Sequence, residues 1–322
     1  MELIDTKKMS HSEWLRKRRE GVGGSEISVI MGLSKYKSPY ELWLEKTNKV
    51  EIEETSNEVA YFGTVLEDVV RKEYAKREGV KVERCHFMFK DGPRIANIDG
   101  AVPFEGKRSF VKGKFVGRKL FEAKTSSAYL SADWGLAGSD AVPDGYILQV
   151  HQYMSMLGAD VCDISCLHGG NQFKTYTINF DKDLDSVIQE AIDAFWNQHV
   201  KKDIPPDPRS LLEVQQMYPI SKASNIIASE EIEYAWRELK DVREEIKELK
   251  LTEGCLKDEI SIYLGKNDEL RLPNGDRAVT WKTSKGTRRV NWEGIATDLG
   301  AAPELINKYT VEAPGIRKFL IK

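Results

Sequence analysis

The chain has 322 residues, 41% hydrophobic and 31% charged, with 24 Gly, 11 Pro and 4 Cys; at roughly 150 residues per domain this is about two domains, and the composition excludes a collagen-like, disulfide-framework or wholly disordered chain. Its 48 basic and 51 acidic residues leave a net charge of -3, which excludes a protein that is basic all over but not one with a local basic track. No run approaches the roughly 18 apolar residues of a membrane span, the N-terminus lacks an apolar secretory region, and four scattered cysteines point to a reducing compartment.

Residues 12–19 read as a short helix. Gly21, Gly23 and Gly24 then form a turn, and Ser25 is placed to cap a helix running to Met31. Ser38-Pro39 opens another helix, with Tyr40, Leu42, Trp43 and Leu44 on its apolar side. Residues 59–78 read as a longer helix striped by Leu66, Val69, Val70 and Tyr74. From 80 to 130 the period changes. Val80, Val82, Phe87 and Phe89 read as strand, as do Ile95 to Val102 and Lys119 to Ala123. A helix follows Pro143-Asp144, with Tyr146, Val150, Tyr153, Met154 and Leu157 on one face and Gly158 as its terminator. Val161 to Leu167 and Phe173 to Phe180 read as a hairpin, which accounts for Cys162 and Cys166 as alternating strand residues. A helix from about Leu184 to Val200 closes this half.

Pro205, Pro206 and Pro208 mark a seam, dividing the chain into residues 1–205 and 206–322. Beyond it lies a long amphipathic helix over residues 229–264, with apolar residues at spacings of 3 and 4 and Glu253 interrupting them. Residues 229–259 hold 11 acidic and 6 basic residues, which favours a solvated helix packed on its own domain or a partner over a DNA contact. Residues 270–292 read as a hairpin around Asn274-Gly275, with basic residues from Lys282 to Arg289.

The chemistry concentrates between Ile98 and Lys124. Glu122 and Lys124, two apart in a strand, emerge on one face, and Asp99 at the end of a neighbouring strand can meet them. Two carboxylates and an ammonium suit a hard divalent cation with oxygen ligands and supply the minimum for metal-assisted phosphodiester hydrolysis. Alone, Asp…Glu-x-Lys also describes an ordinary charged surface. Three features add weight: Glu67 in Gly63-x-x-x-Glu67 on a helix, Arg18-Arg19 before a glycine turn that can cradle phosphate, and Gln149-x-x-x-Tyr153 on the following helix. Lys107, Arg108, Lys112, Lys114, Arg118 and Lys119 form a basic stretch, either a solvated loop or a sequence-independent phosphate contact.

These segments together resemble the YqaJ-like viral recombinase family, grouped with phage lambda exonuclease in the PD-(D/E)xK nuclease superfamily. The resemblance rests on Trp14-Leu15-x-x-Arg18-Arg19-x-Gly21-Val22-Gly23-Gly24-Ser25-Glu26, Leu33-Ser34-x-Tyr36-x-Ser38-Pro39, Gly63 to Glu67, Ile98-Asp99-Gly100, Glu122-Ala123-Lys124-Thr125 and Gln149 to Met154. It covers roughly residues 10–205. It implies an α/β PD-(D/E)xK, restriction-endonuclease-like core, a mixed central sheet flanked by helices, carrying a C-terminal long-helix and β-hairpin extension.

The activity implied is a Mg²⁺-dependent 5′→3′ exonuclease, with Mn²⁺ an acceptable substitute, that resects double-stranded DNA ends to 3′ overhangs by two-metal hydrolysis. Asp99, Glu122 and the Ala123 carbonyl are implied as metal ligands, and Glu67 as a contributor to a second ion. Lys124 is implied as the catalytic lysine, and Gln149 as a residue bordering the site. Arg18 and Ser25 are implied to hold the terminal 5′-phosphate, with Arg19 as the alternative arginine. The resemblance further implies a single-strand annealing partner, a homo-oligomer (a trimeric ring), and phage or prophage recombination in the bacterial cytoplasm. Two rival readings are a non-catalytic DNA-end scaffold and a related PD-(D/E)xK endonuclease. Metal-dependent nucleotide release separates out the first, and nicking of closed circular DNA the second.

Overall fold

Local signals start several of the helices. Ser10 and Ser38 each accept a backbone N–H from the glutamate three residues on, Glu13 and Glu41, whose carboxylates reach back to the serine N–H. These reciprocal boxes satisfy otherwise orphaned donors of the first turn. They open α1 (His11–Arg19) and α3 (Pro39–Lys46).

The computed structural model describes residues 1–51, 58–111, 114–222, 224–287 and 290–310. Its first compact unit runs from Met1 to Glu213, so the proline-rich connector lies inside it. The strands are β1 (Glu2–Asp5), β2 (Val22–Gly23), β3 (Glu83–Arg84), β4 (Phe87–Asp91), β5 (Arg94–Ala96), β6 (Gly100–Val102), β7 (Phe110–Val111), β8 (Lys114–Phe115), β9 (Lys119–Ser126), β10 (Val161–His168) and β11 (Gln172–Asn179). The remaining α-helices are α2 (Ile27–Ile30), α4 (Glu58–Glu78), α5 (Asp144–Leu157) and α6 (Lys182–Ala194), the last continuing as a π-helical turn over Phe195–Val200.

Among the described residues of this unit, β7 and β8 pair as a two-stranded ribbon and two larger sheets form. One has the order β1-β4-β5-β2, and the other β11-β10-β9-β6-β3. In the second, β9 runs parallel to β10 and antiparallel to β6, so the mixed sheet flanked by helices that the sequence implied is present. Alternation along β9 divides its neighbours. Leu120 packs with Val150, Tyr153 and Met154 of α5, whereas Phe121 packs with Val70 and Tyr74 of α4. Glu122 and Lys124 therefore lie on the α5 face.

Several elements differ from the sequence reading. The expected strand Ile95 to Val102 is two short strands, β5 in one sheet and β6 in the other, and Asn97–Asp99 is the crossing between them. Val80 and Val82 precede β3 rather than forming strand. Val69 of α4 is exposed, while Val70 and Tyr74 are buried. Ser25 caps no helix: it sits inside a 3₁₀ turn, Gly24–Glu26, and the Glu26 carboxylate accepts the Gly23 N–H instead. The glutamate, whose carboxylate oxygens lie two bonds further out than a serine hydroxyl, reaches back over the turn. Lys119, counted in the basic stretch, turns inward to an ion pair with buried Asp163. Lys112 and Arg289 lie outside the described residues.

The division between units falls within α7 (Leu211–Met217). In the second unit Ser229 caps α8 (Glu230–Leu264), a helix of 35 residues. A hairpin follows, β12 (Glu269–Arg271) with β13 (Arg277–Thr280), and then α9 (Trp292–Asp298) and α10 (Pro303–Tyr309). Among the described residues no helix is long and apolar enough to cross a membrane.

Candidate active site

The break between β5 and β6 puts Asp99 at the edge of β9, just past the residues that β6 covers. There the Asp99 carboxylate accepts the Ala123 N–H at 2.8 Å. In extended chain the N–H and C=O of one residue face the same neighbour, so the Ala123 carbonyl opens toward the Asp99 side as well. Glu122 is buried. Its Oε1 accepts from Lys124 Nζ at 2.8 Å and from Gln149 Nε2 at 2.6 Å. Gln149 Oε1 in turn accepts from Lys124 at 3.1 Å, and its Nε2 also donates to the Tyr153 hydroxyl at 3.0 Å. The lysine ammonium lies 4.9 Å from the Tyr146 ring centroid, a cation–π contact that helps fix it.

The carboxyls of Glu122, Asp99 and Glu67 act on one another, although among the described residues no three acidic, histidine or cysteine side chains are drawn together closely enough to form a ready metal site. Burial pushes the Glu122 carboxyl up to about 8, with Asp99 and Glu67 adding repulsion and Lys124 opposing. Burial and Asp99 push Glu67 up to about 7, against Arg84, whose guanidinium is 3.5 Å away. Asp99 is also raised, by burial, with Lys124 and the Ala123 N–H working against the shift. Burial works against the Lys124 ammonium, yet Glu122 and Asp99 outweigh it and hold its pKa above the usual lysine range. Three carboxylates thus share one region with a single partnered ammonium. Glu122 Oε2 is buried and among the described residues has no hydrogen-bond partner, an orphan acceptor of the kind that a cation satisfies. The donor set is all oxygen, which fits Mg²⁺ or Mn²⁺ rather than a soft metal.

A second cluster adjoins the first. Arg18 Nη2 donates to Ser25 Oγ at 3.2 Å and to Glu26 Oε1 at 3.3 Å, and the guanidinium stacks over Trp14 at 4.9 Å. Lys46, whose side chain is 1% exposed, holds Glu26 Oε2 at 2.7 Å and the Arg18 carbonyl at 2.9 Å. Burial opposes the Glu26 charge, but Lys46 and Arg18 keep its pKa below the ordinary carboxylate value. Gly24 seats this turn against α5: a Cβ there would stand 2.7 Å from the Tyr153 ring and 2.9 Å from the Gln149 side chain. Gln152 ties the same layers together, donating to the Val22 carbonyl at 3.0 Å and the Ile95 carbonyl at 2.7 Å.

Of the residues singled out from sequence, Asp99 accepts the Ala123 N–H, Glu122, Lys124 and Gln149 bond one another, and Asp99 and Glu67 act on Glu122 through their charge. Arg18 and Ser25 meet each other. Arg19 does not join them; its guanidinium binds Asn48 and the carbonyls of Val50 and Glu51. Sequence reasoning missed Glu26 and Lys46. The available signal was a glutamate directly after the glycine turn, since a buried acid requires a buried cation.

Residues 13–160 match the YqaJ-like viral recombinase domain family, in agreement with the resemblance carried by the motifs. The chain is 38% identical over 204 residues to the Bacillus subtilis protein YqaJ, covering 62% of this chain and 59% of that one. It is 27% identical over 153 residues to protein R354 of Acanthamoeba polyphaga mimivirus, covering 47% and 27% respectively. The matched region is thus under two thirds of the length of either relative. Among solved structures, an alkaline exonuclease from Laribacter hongkongensis aligns with a TM-score of 0.45 at 19% identity, over 60% of this chain and 94% of that one. A phage-related exonuclease from Haemophilus somnus 129PT aligns at 0.41 and 15%, over 59% and 99%.

Proposed function

We propose that this YqaJ-like domain is a divalent-cation-dependent deoxyribonuclease that degrades one strand of a duplex from its 5′ end and leaves a 3′ overhang. The observation that carries the reading is buried Glu122, whose Oε2 has no hydrogen-bond partner among the described residues, with half-buried Asp99 and Glu67 acting on its charge and an anchored lysine beside it. Asp99, Glu122 and the Ala123 carbonyl would hold Mg²⁺ or Mn²⁺, with Glu67 contributing to a second ion. The bound cations would polarise the scissile phosphodiester and neutralise the charge developing on it.

The chain's own groups supply positioning. Lys124, held protonated between Glu122 and Gln149, donates toward the attacking water and the phosphate oxygens. Gln149 fixes both partners and keeps the ammonium from wandering. Water adds at phosphorus and the bond to the 3′ oxygen breaks, so a 5′-mononucleotide leaves and a new 5′-phosphate appears on the shortened strand. Arg18 and Ser25 receive that phosphate. Glu26 and Lys46 hold Arg18 in place from behind, and Trp14 supports its face. The biological setting we propose is phage or prophage recombination in a bacterial cytoplasm, with a single-strand annealing protein taking the overhang.

The test is product analysis on a blunt duplex labelled at either end of one strand. Release of 5′-mononucleotides from the 5′ end alone, dependent on added Mg²⁺, is the expected outcome. Release from the 3′ end, nicking of closed circles, or binding without cleavage would each replace this reading.

A further inference from the structure

Between β6 and β9 the chain doubles back as the β7–β8 ribbon, and that ribbon is anchored. Phe110 and Phe115 pair across it, and Phe110 is buried with its ring 6.2 Å from that of Phe89 in β4. Ser109 is fully buried. It donates its N–H to Glu83 Oε2 at 2.7 Å and its hydroxyl to the Ala101 carbonyl at 3.2 Å, and its carbonyl accepts the Val116 N–H at 2.7 Å. A loop that only spans a gap through water needs no such anchor; here the chain gives up conformational freedom to hold one shape.

The ribbon also carries cations that nothing nearby neutralises. Lys107, Arg108, Lys114 and Arg118 are exposed, and among the described residues their side chains form no ion pair or hydrogen bond. The neighbouring acids are occupied or absent. Glu83 faces the Ser109 N–H, and Asp163 draws the Lys119 ammonium inward. Glu105 is exposed and pairs with none of the four, and no acid occurs from Lys107 through Leu120. Like charges crowded on one short ribbon raise its energy until a polyanion meets them.

The ribbon's place in the chain indicates which polyanion. β9 begins at Lys119, next to Arg118, and Glu122 lies three residues on, about 10 Å along the strand. Duplex DNA carries one negative charge per about 1.7 Å of its axis, so DNA engaged at Glu122 brings several phosphates within that distance. No Asn, Gln, Asp or Glu stands between Lys107 and Arg118, which favours phosphate contacts over the reading of base edges.

We propose that the β7–β8 ribbon is a second, non-catalytic DNA-binding site, holding the phosphate backbone of the duplex without regard to sequence through Lys107, Arg108, Lys114 and Arg118. The proposal rests on the reading of duplex DNA as the substrate.

The test measures duplex binding by the full chain in EDTA, where no strand is cut, as salt is raised. Replacing the four cations with glutamine should raise the dissociation constant at about 0.1 M salt at least about tenfold. It should also make the plot of log affinity against log salt shallower by about 2–4, because each lost phosphate contact removes about 0.9 from the slope. The loss should be equal on AT-rich and GC-rich duplexes. A variant that exchanges lysine for arginine and arginine for lysine at the four positions keeps the charge and should keep the wild-type salt slope. Wild-type binding with a glutamine variant equal to it in affinity and slope would overturn the proposal, assign the ribbon to an acidic protein partner and leave the nuclease reading standing. A loss confined to one duplex sequence would overturn it in favour of base reading. A wild type that binds no duplex would overturn both the proposal and the nuclease reading.

Discussion

Replacing Glu122 with glutamine should change how the stability of the metal-free protein depends on pH. In the folded state the Glu122 carboxyl has its pKa pushed from 4.5 to about 8, by burial first and by Asp99 second. Folding therefore takes up a proton anywhere between those values. The associated stability is fully present below the unfolded pKa and is lost as pH rises through the folded one. A shift of this size corresponds to about 5 kcal/mol across the window, or about 1.4 kcal/mol per pH unit. Glu67, pushed up to about 7, adds a contribution of the same sign over a narrower range. The Glu122→Gln variant keeps an acceptor for Lys124 and Gln149 and does not titrate. Urea melts in EDTA between about pH 5 and about 8 should show the wild type losing stability as pH rises, with the variant's slope shallower by about 1.4 kcal/mol per pH unit. Millimolar Mg²⁺ should flatten the wild-type slope, since cation and proton compete for the same oxygens. Parallel slopes for the two proteins would refute the assignment of Glu122 as the strained acid.

Lys124→Ala should lower the turnover number by about 10²–10³-fold, the scale of losing one charge-stabilising donor, while duplex binding persists in a filter or anisotropy assay. Arg18→Ala should erase the preference for 5′-phosphorylated over 5′-hydroxyl ends, measured as the ratio of degradation rates; Arg19→Ala should leave that ratio intact. Gly24→Ala should cost about 1–3 kcal/mol in a denaturant melt, since its Cβ would press on Tyr153 and Gln149. Asp163→Asn, away from the site, should destabilise by about 3–5 kcal/mol, because Asp163 is buried and serves Lys119, Tyr74 and Thr177. Activity per folded molecule should be unchanged.

The parts of this molecule that follow from short-range rules were readable in its sequence. Glu122 and Lys124 share a face because strand side chains alternate. The helix Asp144–Leu157 ends where Gly158 adopts positive φ. The helix starting at Pro39 follows from Ser38 and Glu41. What the sequence concealed depends on long-range partners. Nothing local says that residues 95–102 divide between two sheets, yet that division delivers Asp99 to the edge of β9. Ser25 fits a cap by residue type, but Glu26, anchored by Lys46 from another helix, takes that role. Arg18 and Arg19 are indistinguishable in one dimension. Their separation comes from the loop at Asn48 to Glu51, which occupies one of them.

The account rests on acidic side chains from α4, the β5–β6 crossing and β9 gathering cations that cleave DNA. Its most direct test is nucleotide release from a blunt, 5′-phosphorylated duplex as free Mg²⁺ is raised, for the wild type and Asp99→Asn side by side. The wild type should be silent in EDTA and rise to saturation with Mg²⁺, and the variant should bind duplex yet release nothing. Release in EDTA, or an Asp99→Asn variant as active as the wild type, would contradict the account.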